Sequence, residues 1–487
     1  MECLVAQIKR MIWNIVGRGL VLALGSGCAH PVPPPVPPSE WEARMDWDSA
    51  AEALVQHLSA YLQVDTINPP GNETAGALYL KGLLDAEGIT SEILEFAPGR
   101  GSLIARLPGA GAEAPLCLLS HIDGAGVEAD RWPEGRGPLS GTIDDKGVWG
   151  RAALDMKGLG MIQVETMLWL ERLGIPLRRD VVLLAVADEE DGNAGIQDVI
   201  TRRWPELACS QVLNEGGIGL KGLLFEDQTV YVISTGEKGV LWLRMVASGP
   251  AGHGSVPRAE YAPAVLREAM TRIAAKEPEI SLQPATRELL AAAGSEHGGL
   301  AGRVLRGRLS VNLLVKPRLA DNPLTLAGMT HTVHLTGFGG GETPNVVPSE
   351  AWATYDVRVL PGVEPAQVLA ELQALVADLP VRFEVVQSRA GNESPVDDPF
   401  YAALVRRTRA ADPGSAVGPA ISVGFTDSIY LRPLGARAYG FVPFALDEAE
   451  LATMHGHGEF VSRENLDQGL RVVLGAVADV AMVRPGG

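Results

Sequence analysis

Two uninterrupted apolar runs, Pro115–Ser120 and Val181–Ala187, restrict the fold of this chain more than any other feature. Each has the length of a strand and neither alternates, the pattern of a strand covered on both faces. Each also leads into residues that burial alone does not call for: His121-Ile122-Asp123 after the first, Asp188-Glu189-Glu190 after the second. Strand side chains alternate with period two, so His121 and Asp123 share one face at the strand mouth. Helical spacings surround these runs at Trp47–Leu62, Ala75–Leu84 and Gly158–Leu173, the last closed by Gly174 with Pro176 beyond. Further strands are expected at Ser91–Phe96 and Ser102–Leu107. Strands alternating with helices, with polar residues at strand ends, predict an α/β fold: a mainly parallel sheet flanked by helices, binding ligands beyond the carboxyl ends of its strands.

The texture changes after Gly236. Val240–Ala247 reads as a strand and Gly249–Pro257 as a turn-rich loop; Ala262–Ala275 reads as a helix, and strands return at Thr330–Gly337 and Ala351–Leu360. The expected organisation is a main domain over residues 41–240 and 361–487, interrupted by a smaller α+β unit over 241–360. The main domain is expected to resume with helix Pro365–Ala377 and close with helix Asn465–Val483. Ser281–Asn322 matches neither period and is left unassigned.

A net charge of −18 and the absence of a basic run exclude a nucleic-acid footprint. Cys3, Cys28, Cys117 and Cys209 make no disulfide framework; Cys117, inside a buried-strand pattern, reads as a small apolar residue, and the redox compartment stays open. Lys9, Arg10 and Arg18 precede the apolar stretch Gly19–Gly25 and then Gly25-Ser26-Gly27-Cys28, the pattern of an export signal with a lipoprotein-like cysteine. Export is therefore expected, to the periplasm or to a membrane through a lipid anchor on Cys28; a cytoplasmic chain with a short amphipathic N-terminal helix is the alternative. The apolar stretch is shorter than the roughly 20 residues a membrane-spanning helix needs. Pro31–Pro38 would form a stiff spacer ahead of a folded part starting near Trp41.

Asp155, Glu190, Glu215 and His455 join His121 as candidate metal ligands. Histidine nitrogen and carboxylate oxygen suit zinc, and two ions roughly 3.5–4 Å apart can share a bridging carboxylate and activate one water. Each residue also has a plainer reading when taken singly. A His-x-Asp is more often structural, paired glutamates are usually solvated, Asp155 could cap a helix, and His253 could be a turn residue. His457 reads as a bystander.

Together and in order, the motifs resemble those of the zinc aminoacylase/carboxypeptidase superfamily, which includes acetylornithine deacetylase, succinyl-diaminopimelate desuccinylase and carboxypeptidase S-like metallopeptidases. The resemblance rests on Asp65-Thr66-Ile67-Asn68-Pro69-Pro70-Gly71, His121-x-Asp123, Gly150-Arg151 with Asp155-Met156-Lys157-Gly158, and Asp188-Glu189-Glu190. It continues through Asn214-Glu215-Gly216-Gly217, Gly252–Pro257, Asn345–Pro348, Thr426-Asp427 and His455-Gly456. It implies a catalytic domain with an inserted lid or dimerisation domain, and hydrolysis of an amide by metal-bound hydroxide. His121 and Glu215 would hold one Zn2+, Glu190 and His455 a second, with Asp155 bridging; Co2+ or Mn2+ could take the same ligands. Asp123 would accept the other ring N–H of His121, Glu189 would be the general base, and His253 would reach the oxyanion, typically from a partner subunit. Asn345 would bind the substrate. The implied substrate is an N-acyl amino acid or a short peptide, with a dipeptidase-type peptidase and an inert exported binding lipoprotein as alternatives. Either a homodimer forms through the inserted domain, or Ser281–Asn322 covers that surface and leaves a monomer.

The chain departs from the pattern in four places. Gly124-Ala125-Gly126 stands where the family has a Val-rich stretch, Ala152 where glycine is common, and Asn214 where aspartate is common. Ile429 occupies the place of an arginine, which leaves Arg358 and Arg432 as candidates to grip a substrate carboxylate.

Overall fold

A computed structural model describes residues Glu40–Val483; the expected export segment, Cys28 and the proline spacer lie outside the described residues. The two apolar runs form neighbouring parallel strands, Glu113–His121 and Arg179–Val186, in register from Leu116 opposite Val181 to His121 opposite Val186. Their lack of alternation has a direct cause. Leu116, Leu118, Val181 and Leu183 face one core, while Cys117, Leu119, Val182 and Leu184 face a second on the other side of the sheet.

Gln211–Lys221 and Arg437–Leu446 extend the parallel array. Arg100–Leu107 and Ser91–Ala97 add antiparallel strands at one edge, and Thr229–Glu237 with Ala416–Ser422 at the other. Helices Trp47–Leu62, Lys157–Arg172 and Arg463–Ala481 pack their apolar residues on the first face, and Ala194–Leu207 covers the second. Two of these helices are opened by side-chain caps: Asp46 accepts from the Ser49 N–H and Ser462 from the Asn465 N–H. The expected α/β architecture with an inserted smaller unit is present.

The smaller unit is an antiparallel sheet ordered Thr332–Gly339, Glu350–Val359, Gly239–Ser248, Val381–Arg389. Leu266, Ala269 and Ile273 of helix Ala262–Ala274, with Val368 and Leu372 of helix Pro365–Ala374, bury one face of it. This corrects the expected boundary at residue 360. The helix placed in the main domain packs on the small sheet, and the following strand pairs with Gly239–Ser248 from Val240 opposite Arg389 onward. The chain crosses between the units at Gly239, where a Cβ would lie 2.5 Å from the Arg389 carbonyl oxygen, so a side chain there is excluded.

The unassigned insertion is helical. Leu290, Leu305, Val311, Val315 and Leu319 pack on Leu224, Phe225, Val230 and Ala416 at the edge of the main sheet. Gly418 permits this approach, since a Cβ there would stand 2.8 Å from Leu289 Cα. The insertion thus rides on the main domain and does not cover the small sheet.

Cys117 and Cys209 form a disulfide with Cα atoms 5.8 Å apart. This corrects the reading of Cys117 as only a small apolar residue. Cys117 lies opposite Val212 on the adjacent strand, so the segment entering that strand delivers Cys209 alongside it. No helix among the described residues is long and apolar enough to cross a membrane.

Candidate metal centre

His121 ends the central strand, buried, beside the turn at Asp188–Glu190 that ends the neighbouring strand. Its Nδ1 lies 2.9 Å from the Asp123 carbonyl oxygen, which can only accept, so Nδ1 carries the proton and Nε2 is left to face the cluster. The hydrogen bond expected to the Asp123 carboxylate goes instead to this carbonyl, and the carboxylate stands 3.4 Å away. Asp123 has its own task. Its two oxygens accept from the backbone N–H groups of Glu189 (3.2 Å) and Glu190 (3.1 Å) and from Asn68 Nδ2 (3.0 Å). It therefore fixes the turn that presents both glutamates.

Asp155 Oδ1 is 3.2 Å from His121 Nε2, and its Oδ2 is 3.1 Å from His455 Nε2. Glu215 Oε1 approaches His121 Nε2 at 3.7 Å, and Glu190 Oε1 approaches His455 Nε2 at 3.2 Å. Asp155 thus turns one oxygen to His121, which Glu215 also approaches, and the other to His455, which Glu190 also approaches. Glu190 Oε1 is buried and has no hydrogen-bond partner of good geometry, although the His455 ring nitrogen is 3.2 Å away. Potential ligand atoms of His121, Glu189 and Glu215 fall within 4.8 Å of one another, as do those of His121, Asp155 and Glu190. Converging, unsatisfied donors of this chemistry fit divalent cations.

Electrostatics agree. Burial pushes Glu189 and Glu215 well above the usual carboxylate range, and the nearby carboxylates add to the rise in both. Burial also dominates at Asp427, which is pushed up to about 7. Burial would lower His121, but the carboxylates of Asp123 and Asp155 beside the ring outweigh it and hold the ring well above its ordinary value. His455 is raised to about 10 by Asp155 and then Glu190. Without cations the histidines hold protons in the places ions would occupy.

Four expected residues stand apart from this cluster. His253 and Asn345 are exposed on the small unit, side by side: Gly252–His253 pairs with Val346–Val347, and the Gly254 N–H donates to the Asn345 carbonyl at 2.8 Å. Among the described residues the His253 ring meets only Ser255, with Oγ 2.8 Å from Nδ1. Arg358 donates two hydrogen bonds to Asp356 and lies 5.2 Å over the Phe425 ring, next to Thr426-Asp427. Arg432 is excluded as a substrate clamp. It is buried, donating to Ala438, Ser394 and Asn392, and stands 3.3 Å from Glu237. His457 pairs with Glu128 at the surface, 3.1 Å apart.

Glu459 was missed as a site residue. It is fully buried and receives Arg151 Nη1 at 2.6 Å and the N–H groups of Ala152, Leu154 and Asp155 at 3.1, 2.7 and 3.2 Å. Arg151 also donates to the Gly456 carbonyl at 3.1 Å, so this pair ties the Asp155 turn to the His455 loop. Asp188 and Arg100 were missed as well; Arg100 bridges Asp188 and buried Glu73, and Asp188 shares Asn68 with Asp123. The one available signal was position, a lone acid closing a glycine-rich loop four residues after His455.

Comparison with known proteins agrees with this geometry. A profile described as Peptidase family M20/M25/M40 matches residues 117–479. The chain is 28% identical to "Probable carboxypeptidase S-like 2" of Dictyostelium discoideum, over 73% of this chain and 69% of that protein. It is 28% identical to mouse "N-fatty-acyl-amino acid synthase/hydrolase PM20D1" (74% and 73% covered) and 25% identical to mouse "Aminoacylase-1" (87% and 94%). Among solved structures it resembles in fold a metallo-carboxypeptidase from Sulfolobus solfataricus, with TM-score 0.64, 18% identity, and 88% of this chain and 98% of that one covered. Human carnosine dipeptidase 1 also resembles it, with TM-score 0.59, 14% identity, and 91% and 99% covered. The family consists of metal-dependent hydrolases, and a potential metal-ligand cluster lies where its chemistry requires one. The chain belongs to Peptidase family M20/M25/M40 and is a hydrolase of the metallopeptidase type.

Proposed function

We propose that this chain hydrolyses the amide bond of an N-acyl amino acid, using two divalent ions, zinc by preference. The observation that carries the proposal is Asp155, with one oxygen 3.2 Å from His121 and the other 3.1 Å from His455. Bound there, divalent ions supply Lewis acidity for the scissile carbonyl and the attacking water. The chain supplies the rest. His121, fixed by its Nδ1 hydrogen bond, and Glu215 complete one half-site; His455 and Glu190 complete the other. Glu189 takes a proton from water as its oxygen bonds to the carbonyl carbon, and returns it to the nitrogen as the C–N bond breaks. Burial raises Glu189 in the ion-free chain; cations bound beside it would favour its ionised form, the form that accepts the proton of water. Arg358, half-buried, paired with Asp356 and stacked on Phe425, is the cation we assign to the substrate carboxylate, since Arg432 is buried and engaged with backbone and Glu237. His253 and Asn345 act on the oxyanion and substrate only if the small unit, or that of a second copy, is brought to the cluster. Export is part of the proposal; the Cys117–Cys209 disulfide supports an oxidising compartment.

The test is turnover of N-acyl amino acids against dipeptides by the zinc-loaded protein beside Glu189→Gln. Turnover of the N-acyl panel, lost in the variant while both ions are retained, is expected. A protein that retains no metal refutes the proposal, and dipeptide turnover alone refutes the substrate class.

A further inference from the structure

Residues 298–320 carry Arg303, Arg306, Arg308, Lys316 and Arg318 and no acid, on a chain whose net charge is −18. These residues are helical over Gly299–Arg306 and again, with one wide turn, from Arg308 to Ala320. One face is committed: Leu305, Val311, Val315 and Leu319 are buried against the edge of the main sheet. The opposite face is apolar as well. Leu309 is 72% exposed, Leu313 61%, Leu300 57% and Leu314 40%. Leu309, Leu313 and Pro317, all exposed, recur every fourth residue and so form one outward stripe.

The cations around this stripe differ from many surface arginines, though exposed Arg44, Arg244, Arg258 and Arg267 also have no ion pair among the described residues. Arg203, Arg272, Arg382 and Arg471 each face a carboxylate. Among the described residues, none of the five cations of 298–320 has an acidic partner in an ion pair. Exposed leucines ringed by unpaired Arg and Lys match the polar–apolar boundary of an anionic bilayer: the leucines enter the headgroup region and the long cationic side chains reach the phosphates. A symmetric second copy fits poorly, since a twofold contact sets this patch of cations against itself. A nucleic acid has no use for the leucines.

We propose that this inserted helical segment docks the enzyme on anionic phospholipid membranes through Leu309, Leu313 and Leu314, with Arg303, Arg306, Arg308 and Arg318 on the headgroups. The inference does not depend on the reaction proposed above, and its test reads binding, not turnover. Full-length protein carrying Cys28→Ser, which removes any acylation at that residue, is sedimented with vesicles of phosphatidylglycerol and phosphatidylcholine in equal parts, or of phosphatidylcholine alone. Binding to the anionic vesicles only, weakening with salt, is expected. Arg303→Gln, Arg306→Gln and Arg308→Gln together should weaken it roughly a hundredfold, at about fivefold per cation. Leu309→Ser with Leu313→Ser should weaken it by at least about tenfold. Both sets leave thermal unfolding unchanged, because every altered side chain is exposed. As a second readout, Leu313→Trp emission should shift to the blue with anionic vesicles only. All variants share residues 1–39, so binding that survives the substitutions arises elsewhere and overturns the proposal. Equal binding to neutral vesicles, no binding at all, or dimers that the leucine variants dissociate would overturn it too.

Discussion

Replacing Glu459 by glutamine tests whether a buried carboxylate that is not itself a candidate ligand governs ion affinity. Both of its oxygens are fully used: Oε2 by Arg151 and the Ala152 N–H, Oε1 by the N–H groups of Leu154 and Asp155. Glutamine must set an NH2 against one of these donor pairs, leaving it without an acceptor in a site closed to water. Each unsatisfied donor costs about 1–3 kcal/mol, and a buried guanidinium without its anion about 3–5 kcal/mol. The terms overlap, so the expected loss is about 4 kcal/mol, a large part of the ~5–15 kcal/mol that holds a domain together. Arg151→Met is the informative contrast. It removes the cation but leaves the carboxylate three backbone donors, and its expected cost is smaller, about 2 kcal/mol. Urea unfolding of metal-free protein gives both values, and chelator competition gives ion affinity, expected to fall about 10–100-fold in the glutamine variant because Asp155 loses its anchor. A glutamine variant within about 1 kcal/mol of the parent, or a methionine variant that loses more, would show that the N–H cradle does not hold the turn.

Metal binding should expel protons. The carboxylates of Asp155 and Glu190 beside the ring raise His455 to about 10 in the ion-free protein. That stabilisation is complete below the unfolded value of roughly 6.5 and is lost as pH rises through about 10. Ion affinity should therefore climb about tenfold per pH unit per proton released; calorimetry in buffers of different ionisation enthalpy counts the protons, and a count of zero refutes the coupling. The Cys117–Cys209 bond closes a separation of 92 residues, and replacing both cysteines by alanine should cost about 2–4 kcal/mol in urea unfolding; an unfolding midpoint indifferent to reductant contradicts this. Gly124→Val should destabilise the chain, because a Cβ at 124 would lie 3.1 Å from Arg151 Cγ and 3.2 Å from the Ala152 methyl. Ala152→Gly should relieve the part of that cost due to the methyl, with a coupling of about 0.5–3 kcal/mol in a double-mutant cycle, and additive effects would refute the contact.

Where a residue's environment is set by its own strand or helix, the sequence was readable. The two-faced burial of Glu113–His121 and Arg179–Val186 is written in their unbroken apolar runs, and the candidate ligands follow at their ends. Helix Trp47–Leu62 falls on the residues its spacing predicts. Where the environment is set by a distant partner, it was not. Strand Val381–Arg389 alternates Val381, Phe383 and Val385 and so reads as a strand, but nothing local says which sheet it joins; its pairing with Gly239–Ser248 decides that. Cys117 and Cys209 become neighbours through a strand register that neither local segment reveals. Glu459 is defined by N–H groups some 300 residues earlier in the chain, and a backbone donor has no sequence signature.

The departures from the family pattern illustrate the same limit from the other side, because they become intelligible as pairs. Ala152 has φ 69, in the left-handed region that favours glycine, which accounts for the glycine common there and makes the alanine a strained choice. Its methyl is fully buried and sits where a side chain at 124 would need room; Gly124 provides that room, and the valine usual in the family would not. The two substitutions read as unrelated losses along the chain, yet in space they are one exchange of volume beside His121. Ile429 pairs with Arg358 in a similar way. The arginine that would have stood two residues after Asp427 is replaced by a buried isoleucine, while a cation from the small unit stacks on Phe425, two residues before Asp427. Moving the carboxylate-binding charge from the main domain to the small unit would make substrate affinity depend on how the two units meet. Arg358→Gln should then raise KM for N-acyl amino acids far more than it lowers kcat, and a loss confined to kcat would place the substrate carboxylate elsewhere.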